Sequence, residues 1–94
     1  MKINTASAGT LESGDIFIEI MPAKPEQKGI EIILSSTVSH QFGEQIKKVI
    51  TQTLSELNIT DAIVNATDKG ALDCTVKART QAAVCRATKT DLWQ

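Results

Sequence analysis

Tyrosine is absent from this chain, and aromatic residues of any kind make up only 3% of it. A packed interior must therefore be built from Ile, Val, Leu and Ala. Histidine occurs once, at His40, and cysteine twice, at Cys74 and Cys85. One histidine and two separated cysteines do not make up the four-ligand tetrahedral set of a zinc site. The cysteines fall in what the pattern predicts as a single helix. There they stand roughly 16 Å apart at the α-helical rise, beyond disulfide reach. Reduced cysteines point to a cytoplasmic setting. No apolar run approaches the roughly 20 residues of a bilayer-spanning helix, so no membrane association is expected. Met1 to Thr5 carries one lysine with no hydrophobic stretch behind it, so no secretory signal is expected there. The formal net charge of -1 gives no electrostatic reason to expect nucleic acid as a partner. Catalytic groups are equally scarce. His40 reads as a solvated residue by a helix start, and the carboxylates are scattered, with no apolar pocket around any pair to split their pKa values. Composition and spacing alone describe a small domain without its own active site.

What is present suffices for one core. The chain has 94 residues, 41% of them apolar, enough for a packed interior and too few for two. Residues 1–94 are therefore expected to form a single domain. Residues 1–14 are small and polar, with Gly9 and Gly14, and read as a flexible loop. From Asp15 to Met21 apolar residues alternate as in a strand, with Ile16, Ile18 and Ile20 on one face and Phe17, Glu19 and Met21 on the other. Pro22 to Gly29 is a proline-bearing connection, and Ile30 to Ser35 a second strand with Ile30, Ile32 and Leu34 on the core side. Ser39 is the expected N-cap of a helix whose apolar stripe is Phe42, Ile46, Val49, Ile50, Thr53, Leu54 and Leu57. Glu44, Lys47, Lys48, Gln52 and Glu56 take its opposite side, and Asn58 suits its end. Asp61 to Thr67 forms a third strand. Asp68 is the expected N-cap of a second helix running through Ala71, Leu72, Val76 and Ala83 to about Ala87. Residues 88–94, with Trp93, are a frayed tail.

The implied fold class is α+β: two layers, β-β-α-β-α, with a three-stranded mixed sheet in the order 2-1-3 and both helices on one face. A hairpin centred near Pro25 would set Phe17 opposite Ile33 and Glu19 opposite Glu31 on the uncovered face. Paired like charges beside exposed apolar groups fit either a docking surface for a basic partner or a half-exposed sheet with incidental apolar residues. Lys69, Lys77, Arg79, Arg86 and Lys89 outnumber Asp73 in the second helix region. They form either an anion-facing surface or an ordinary solvated face.

Three blocks carry a resemblance that covers nearly the whole chain. Ala8-Gly9-Thr10-Leu11-Glu12-Ser13-Gly14-Asp15, then Gln41-Phe42-Gly43, then Asp68-Lys69-Gly70-Ala71-Leu72-Asp73-Cys74 resemble, in order and spacing, the acyl carrier (gamma) subunits of citrate lyase. A lone Ser-Gly-Asp would say little; three ordered blocks in a chain of this length are specific. The resemblance implies that Ser13 carries 2'-(5''-phosphoribosyl)-3'-dephospho-CoA through a phosphodiester. It implies loading by a dedicated transferase, holo-citrate lyase synthase, and acetylation of the arm's thiol by an acetate ligase. It further implies that the alpha subunit exchanges the acetyl group for citryl, releasing acetate, and that the beta subunit cleaves the citryl thioester to oxaloacetate and regenerates the acetyl thioester. The chain itself would be a carrier and not an enzyme. Gly14 would leave Ser13 unobstructed. The Asp68 to Cys74 block would serve either as a helix entry or, through backbone N–H groups, as a phosphate contact. Ordinary acyl carrier proteins are acidic helical bundles with an Asp-Ser-Leu motif, which this chain lacks, so their interfaces do not transfer. A carrier of a malonate decarboxylase-like system and an unmodified structural subunit are the competing readings.

Overall fold

A computed structural model describes residues 3–36 and 40–88. The elements run β1 (Ala6–Ala8), β2 (Ile16–Met21), β3 (Ile30–Ser36), α1 (His40–Glu56), β4 (Ala62–Asp68) and α2 (Asp73–Thr88). The class is α+β as expected, with a mixed sheet and two helices. The sheet has four strands in the order β1-β2-β4-β3; β1/β2 and β2/β4 are antiparallel and β4/β3 parallel. The molecule measures 19 Å along its shortest axis, the thickness of one sheet and one helix layer.

The order 2-1-3 and the expected hairpin are corrected. The strand at Ile16–Met21 and the strand at Ile30–Ser36 do not pair; β4 lies between them. The segment joining them therefore has to step over a strand, two inter-strand spacings, which no tight turn can do. It crosses the start of β4, where the Ala62 N–H donates to Gly29 O (3.2 Å), the Gly29 N–H to the Asp61 carboxylate, and Gln27 Nε2 to Ala62 O (3.4 Å). The return from β3 through α1 to the parallel β4 is a βαβ unit, which makes β4 the natural neighbour of β3. Phe17 consequently faces Thr67 and not Ile33, Glu19 faces Asn65, and Glu31 faces Ile63. With Glu19 and Glu31 on strands that are not neighbours, the electrostatic argument for a basic partner on that sheet face is withdrawn.

Residues 1–14 are not a loop throughout. Ala6–Ala8 pairs with Ile18–Ile20, and Ile3 and Ala8 are buried. Gly9 follows at φ +97°, so close to β2 that a Cβ there would lie 1.9 Å from Ile16 O. Only glycine admits that approach.

The inward face is as the alternation dictates. Ile16, Ile18 and Ile20 are fully buried beside Val64, Ala62 and Ala66 of β4, under Ile46, Ile50 and Leu54 of α1 and Val76, Ala83 and Ala87 of α2. Two threonines sit in this core with their hydroxyls satisfied by their own helices, Thr53 Oγ1 to Val49 O and Thr80 Oγ1 to Val76 O, each 2.8 Å. Helix α1 ends at Asn58, φ 62°, with the Asn58 N–H donating to Ser55 O and the Ile59 N–H to Leu54 O. This is a Schellman closure, with Ile59 turned back into the core.

Helix α2 begins four residues later than expected. Asp68 is not its N-cap but the buried last residue of β4. Its carboxylate accepts from Ser36 Oγ (3.1 Å) and the Ala71 N–H (3.0 Å), while Leu72 O receives the first helical bonds from the Thr75 and Val76 N–H groups. Phe42 and Leu72, expected on the core faces, are 63% and 71% exposed. Both stand at the starting ends of their helices, where neither finds a strand to cover it. Thr88 closes α2, while the expected Ser39 cap, the His40 side chain and the tail with Trp93 lie outside the described residues. Cys74 and Cys85 lie in one helix as expected, both free thiols. No helix among the described residues is long and apolar enough to cross a membrane, and no cluster of metal-ligating side chains occurs among them.

Candidate functional site: the Thr10–Asp15 turn

Ser13 stands on the connection between β1 and β2. The Asp15 N–H donates to Glu12 O (3.1 Å), closing a β-turn with Ser13 and Gly14 as its central residues. Gly14 has φ +85°, the sign a type II turn demands at its second central residue. A Cβ added there would meet nothing within 4 Å. Leu11, Glu12, Ser13 and Gly14 are all exposed. The Ser13 hydroxyl is thus presented at a tip with open space on its C-terminal side.

The tip is mobile-looking in sequence but anchored at its base. Asp15 Oδ1 accepts from Arg79 Nε (3.0 Å) and Oδ2 from Arg79 Nη2 (2.9 Å), the two-pronged geometry that orients both groups. The same carboxylate accepts from Thr10 Oγ1 (2.7 Å) and the Ile16 N–H (2.7 Å), and Thr10 Oγ1 in turn accepts from the Glu12 N–H (3.2 Å). Arg79, then Thr10 and the Ile16 amide, hold the Asp15 carboxyl well below the usual carboxylate range. The Arg79 guanidinium is pushed upward by the same pairing. Two backbone bonds complete the base: the Gly14 N–H donates to Lys69 O (2.7 Å) and the Lys69 N–H to Asp15 O (2.9 Å). They bring the first and third sequence blocks together, so that Ser13 and Lys69 share one end of the molecule.

Of the basic residues of α2, only Arg79 serves this base among the described contacts, and the others are tied elsewhere in the fold. Arg79 holds Asp15, Arg86 Nη1 donates to Ser7 O (2.7 Å), and Lys77 lies 3.7 Å from Glu56 in an exposed pair. At the entry to α2, Asp73 places a carboxylate in the first turn, where a bound phosphate would be repelled. That favours the helix-entry reading of the Asp68 to Cys74 block over a phosphate contact. Sequence reasoning missed the Asp15–Arg79 tie and the close approach at Gly9. The partners of the tie are 64 residues apart, and no periodicity links them.

A shallow concavity of about 210 Å³ opens beside this end, between the first turn of α1 and the segment joining β4 to α2. Its walls include Phe42, Ile46, Ala71 and Leu72, and Gln45 Nε2 donates to Asp73 Oδ2 (2.8 Å) at its edge. The middle and third sequence blocks meet here.

Comparison with known proteins agrees along the length of the chain. Residues 3–87 match the family model described as malonate decarboxylase delta subunit (MdcD). The chain is 51% identical over 89 residues to the citrate lyase acyl carrier protein of Streptococcus mutans, covering 95% of this chain and 85% of that protein. With the protein of the same name from Lactiplantibacillus plantarum the identity is 55% over 92 residues (96% and 93% covered), and with that from Vibrio cholerae 51% over 88 residues (93% and 88%). Among solved structures, the fold is similar to a chain of a Pseudomonas malonate decarboxylase hetero-tetramer in complex with malonate. The TM-score is 0.67, at 17% identity, over 88% of this chain and 84% of that one.

Proposed function

Because this chain belongs to the citrate lyase acyl carrier protein family and is a carrier rather than a catalytic subunit, we propose that Ser13 is its point of attachment for 2'-(5''-phosphoribosyl)-3'-dephospho-CoA. When bound, that group would supply a terminal thiol on which acyl groups travel between the active sites of alpha and beta subunits. The observation that carries the reading is the presentation of Ser13: an exposed hydroxyl at the centre of a glycine-containing turn, on a base held by Asp15 and Arg79. A bulky phosphodiester fits there, since nothing lies within 4 Å of the missing side chain of Gly14.

The chain's own part is to hold that hydroxyl out and to hold its surroundings still. Asp15 is no base for Ser13. Its carboxylate already accepts four hydrogen bonds, two of them from a guanidinium, and a carboxylate so stabilised has little affinity for a proton. Deprotonation of the serine falls to the loading transferase, holo-citrate lyase synthase, with an acetate ligase acting afterwards on the thiol. A covalent tether makes each visit to an active site intramolecular, at effective concentrations of order millimolar. Identity near one half with citrate lyase carriers, against 17% with the malonate decarboxylase chain, favours the citrate lyase system, and with it a cytoplasmic setting. Reconstitution of the complex with Ser13→Ala tests the proposal. Citrate cleavage should be abolished while the variant still co-purifies with the other subunits. Full activity with alanine at this position would refute it.

A further inference from the structure

Among the hollows lined by described residues, one of about 350 Å³ is lined mainly by polar side chains of α1 with Lys77 and Glu56 at its edge, and it has no connection to the Ser13 turn. The smaller concavity differs in both respects. Phe42 and Leu72 leave most of their apolar surface to solvent there, at 63% and 71% exposure, at a cost in unburied apolar area. Ile46 and Ala71 floor it. It also adjoins the Ser13 turn. Gly70 is one of its walls, and the neighbouring Lys69 exchanges backbone bonds with Gly14 and Asp15. Counting backbone spacings, Ser13 lies within roughly 12 Å of that wall.

The chemistry of the lining selects among ligands. Among the described residues no cation lines the concavity, and Asp68 and Asp73 do, so the lining offers nothing to bind a phosphate, and the charged groups of a ligand would stay outside it. Asp73 and Gln45 keep unspent acceptor oxygens at the edge, since their mutual bond uses only Gln45 Nε2 and Asp73 Oδ2. Apolar walls with acceptors at the edge suit a flat, uncharged heteroaromatic ring that carries an amino donor. In 2'-(5''-phosphoribosyl)-3'-dephospho-CoA the adenine is such a ring. The phosphoribosyl unit is joined at the 2' oxygen of the adenosine, which puts the base near the root of the arm and the thiol at its far end.

We infer that the concavity walled by Phe42, Ile46, Ala71 and Leu72 is an adenine-binding cleft, which docks the base of the Ser13-linked arm and leaves only its pantetheine portion free to swing. The inference rests on the attachment proposed at Ser13. Docking shortens the flexible part of the tether, and effective concentration rises as a flexible tether shortens toward the span it must cover. Base stacking on an aromatic side chain is strong enough to matter, on the order of tenfold or more in affinity per ring.

The test is nuclear magnetic resonance on the full chain in two forms. In the loaded chain, with the mass of the arm verified, cross-relaxation between the adenine ring protons and the Phe42 and Leu72 side chains is expected. It should vanish in Phe42→Ala/Leu72→Ser, whose two sites are exposed and should leave the remaining spectrum folded. In the unloaded chain, free 3'-dephospho-CoA should shift the Phe42, Ala71 and Leu72 signals in a saturable way, on the order of tenfold more weakly in the double variant. A loaded chain whose Phe42, Ala71 and Leu72 signals coincide with those of the unloaded chain overturns the inference. So does a cleft that responds only when the other subunits are added, which would make it a protein contact. Should Ser13 prove unloadable, the attachment reading fails by mass, and the cleft then stands or falls on the free 3'-dephospho-CoA titration alone.

Discussion

Gly9 precedes the Ser13 turn and Gly14 lies within it, both at positive φ, and alanine at each separates two physical costs. Gly14 has φ +85° and open space around its absent Cβ. Gly14→Ala therefore meets only the conformational penalty of a left-handed L-residue, about 1–2 kcal/mol. The reduced freedom of the unfolded chain offsets about 0.4–1 kcal/mol of it. A net loss of about 1 kcal/mol lowers Tm by roughly 4–8 °C in a domain of this size. Gly9 has φ +97° and a backbone carbonyl, Ile16 O, 1.9 Å from where a Cβ would stand. Gly9→Ala incurs the same conformational penalty and must also push β1 away from β2, adding an overpacking cost of about 1–3 kcal/mol. Against the total of about 5–15 kcal/mol typical of a small domain, that is a large fraction. Thermal or urea unfolding should show Gly9→Ala losing at least twice what Gly14→Ala loses. Hydrogen exchange should show faster exchange in β1 for Gly9→Ala alone. Equal losses in the two variants, or a Gly9→Ala protein as stable as the parent, would refute the reasoning.

Other substitutions probe the turn and its base. Ser13→Ala touches an exposed tip and should leave stability within about 0.5 kcal/mol of the parent, measured by urea unfolding. Asp68→Ala strips the acceptor from Ser36 Oγ and the Ala71 N–H in a buried position; a loss of about 1–3 kcal/mol is expected by the same assay. Because pairing with Arg79 depresses the Asp15 pKa in the folded state, the tie contributes fully above the ordinary carboxylate range and is lost as pH falls through the folded value. In Arg79→Gln the Asp15 carboxyl should titrate at a higher pH, visible by carbon-13 chemical shift. An unchanged midpoint would show that Arg79 is not the cause. Ile18→Ala, in a side chain 1% exposed under α2, should cost about 2–5 kcal/mol.

The elements that were legible are those whose signal is local. The alternation of Ile16, Ile18 and Ile20 and the stripe from Ile46 to Leu57 each specify a period and a buried face, and Asn58 marks a helix end through its tolerance of positive φ. What was illegible depends on partners distant in sequence. Ala6-Ser7-Ala8 has no large apolar residue to alternate, and it is a strand because β2 offers it an edge. Strand order could not be had from the segment Pro22 to Gly29, since a connection of that length serves a hairpin or a step over β4 equally well. Phe42 and Leu72 fit helical periodicity, which assigns a face without saying where the covering sheet ends. At the candidate site, the motif singled out the segment that proves to be an exposed turn at Ser13 and Gly14, while the arginine that anchors that turn carried no local signal.

The most direct test of the central claim is intact mass and peptide mapping of the protein taken from citrate-cleaving cells within its assembled complex. A mass increment equal to the phosphoribosyl-dephospho-CoA group is expected, confined to the peptide containing Ser13 and absent from Ser13→Ala. An unmodified Ser13 in complex that is actively cleaving citrate would contradict it.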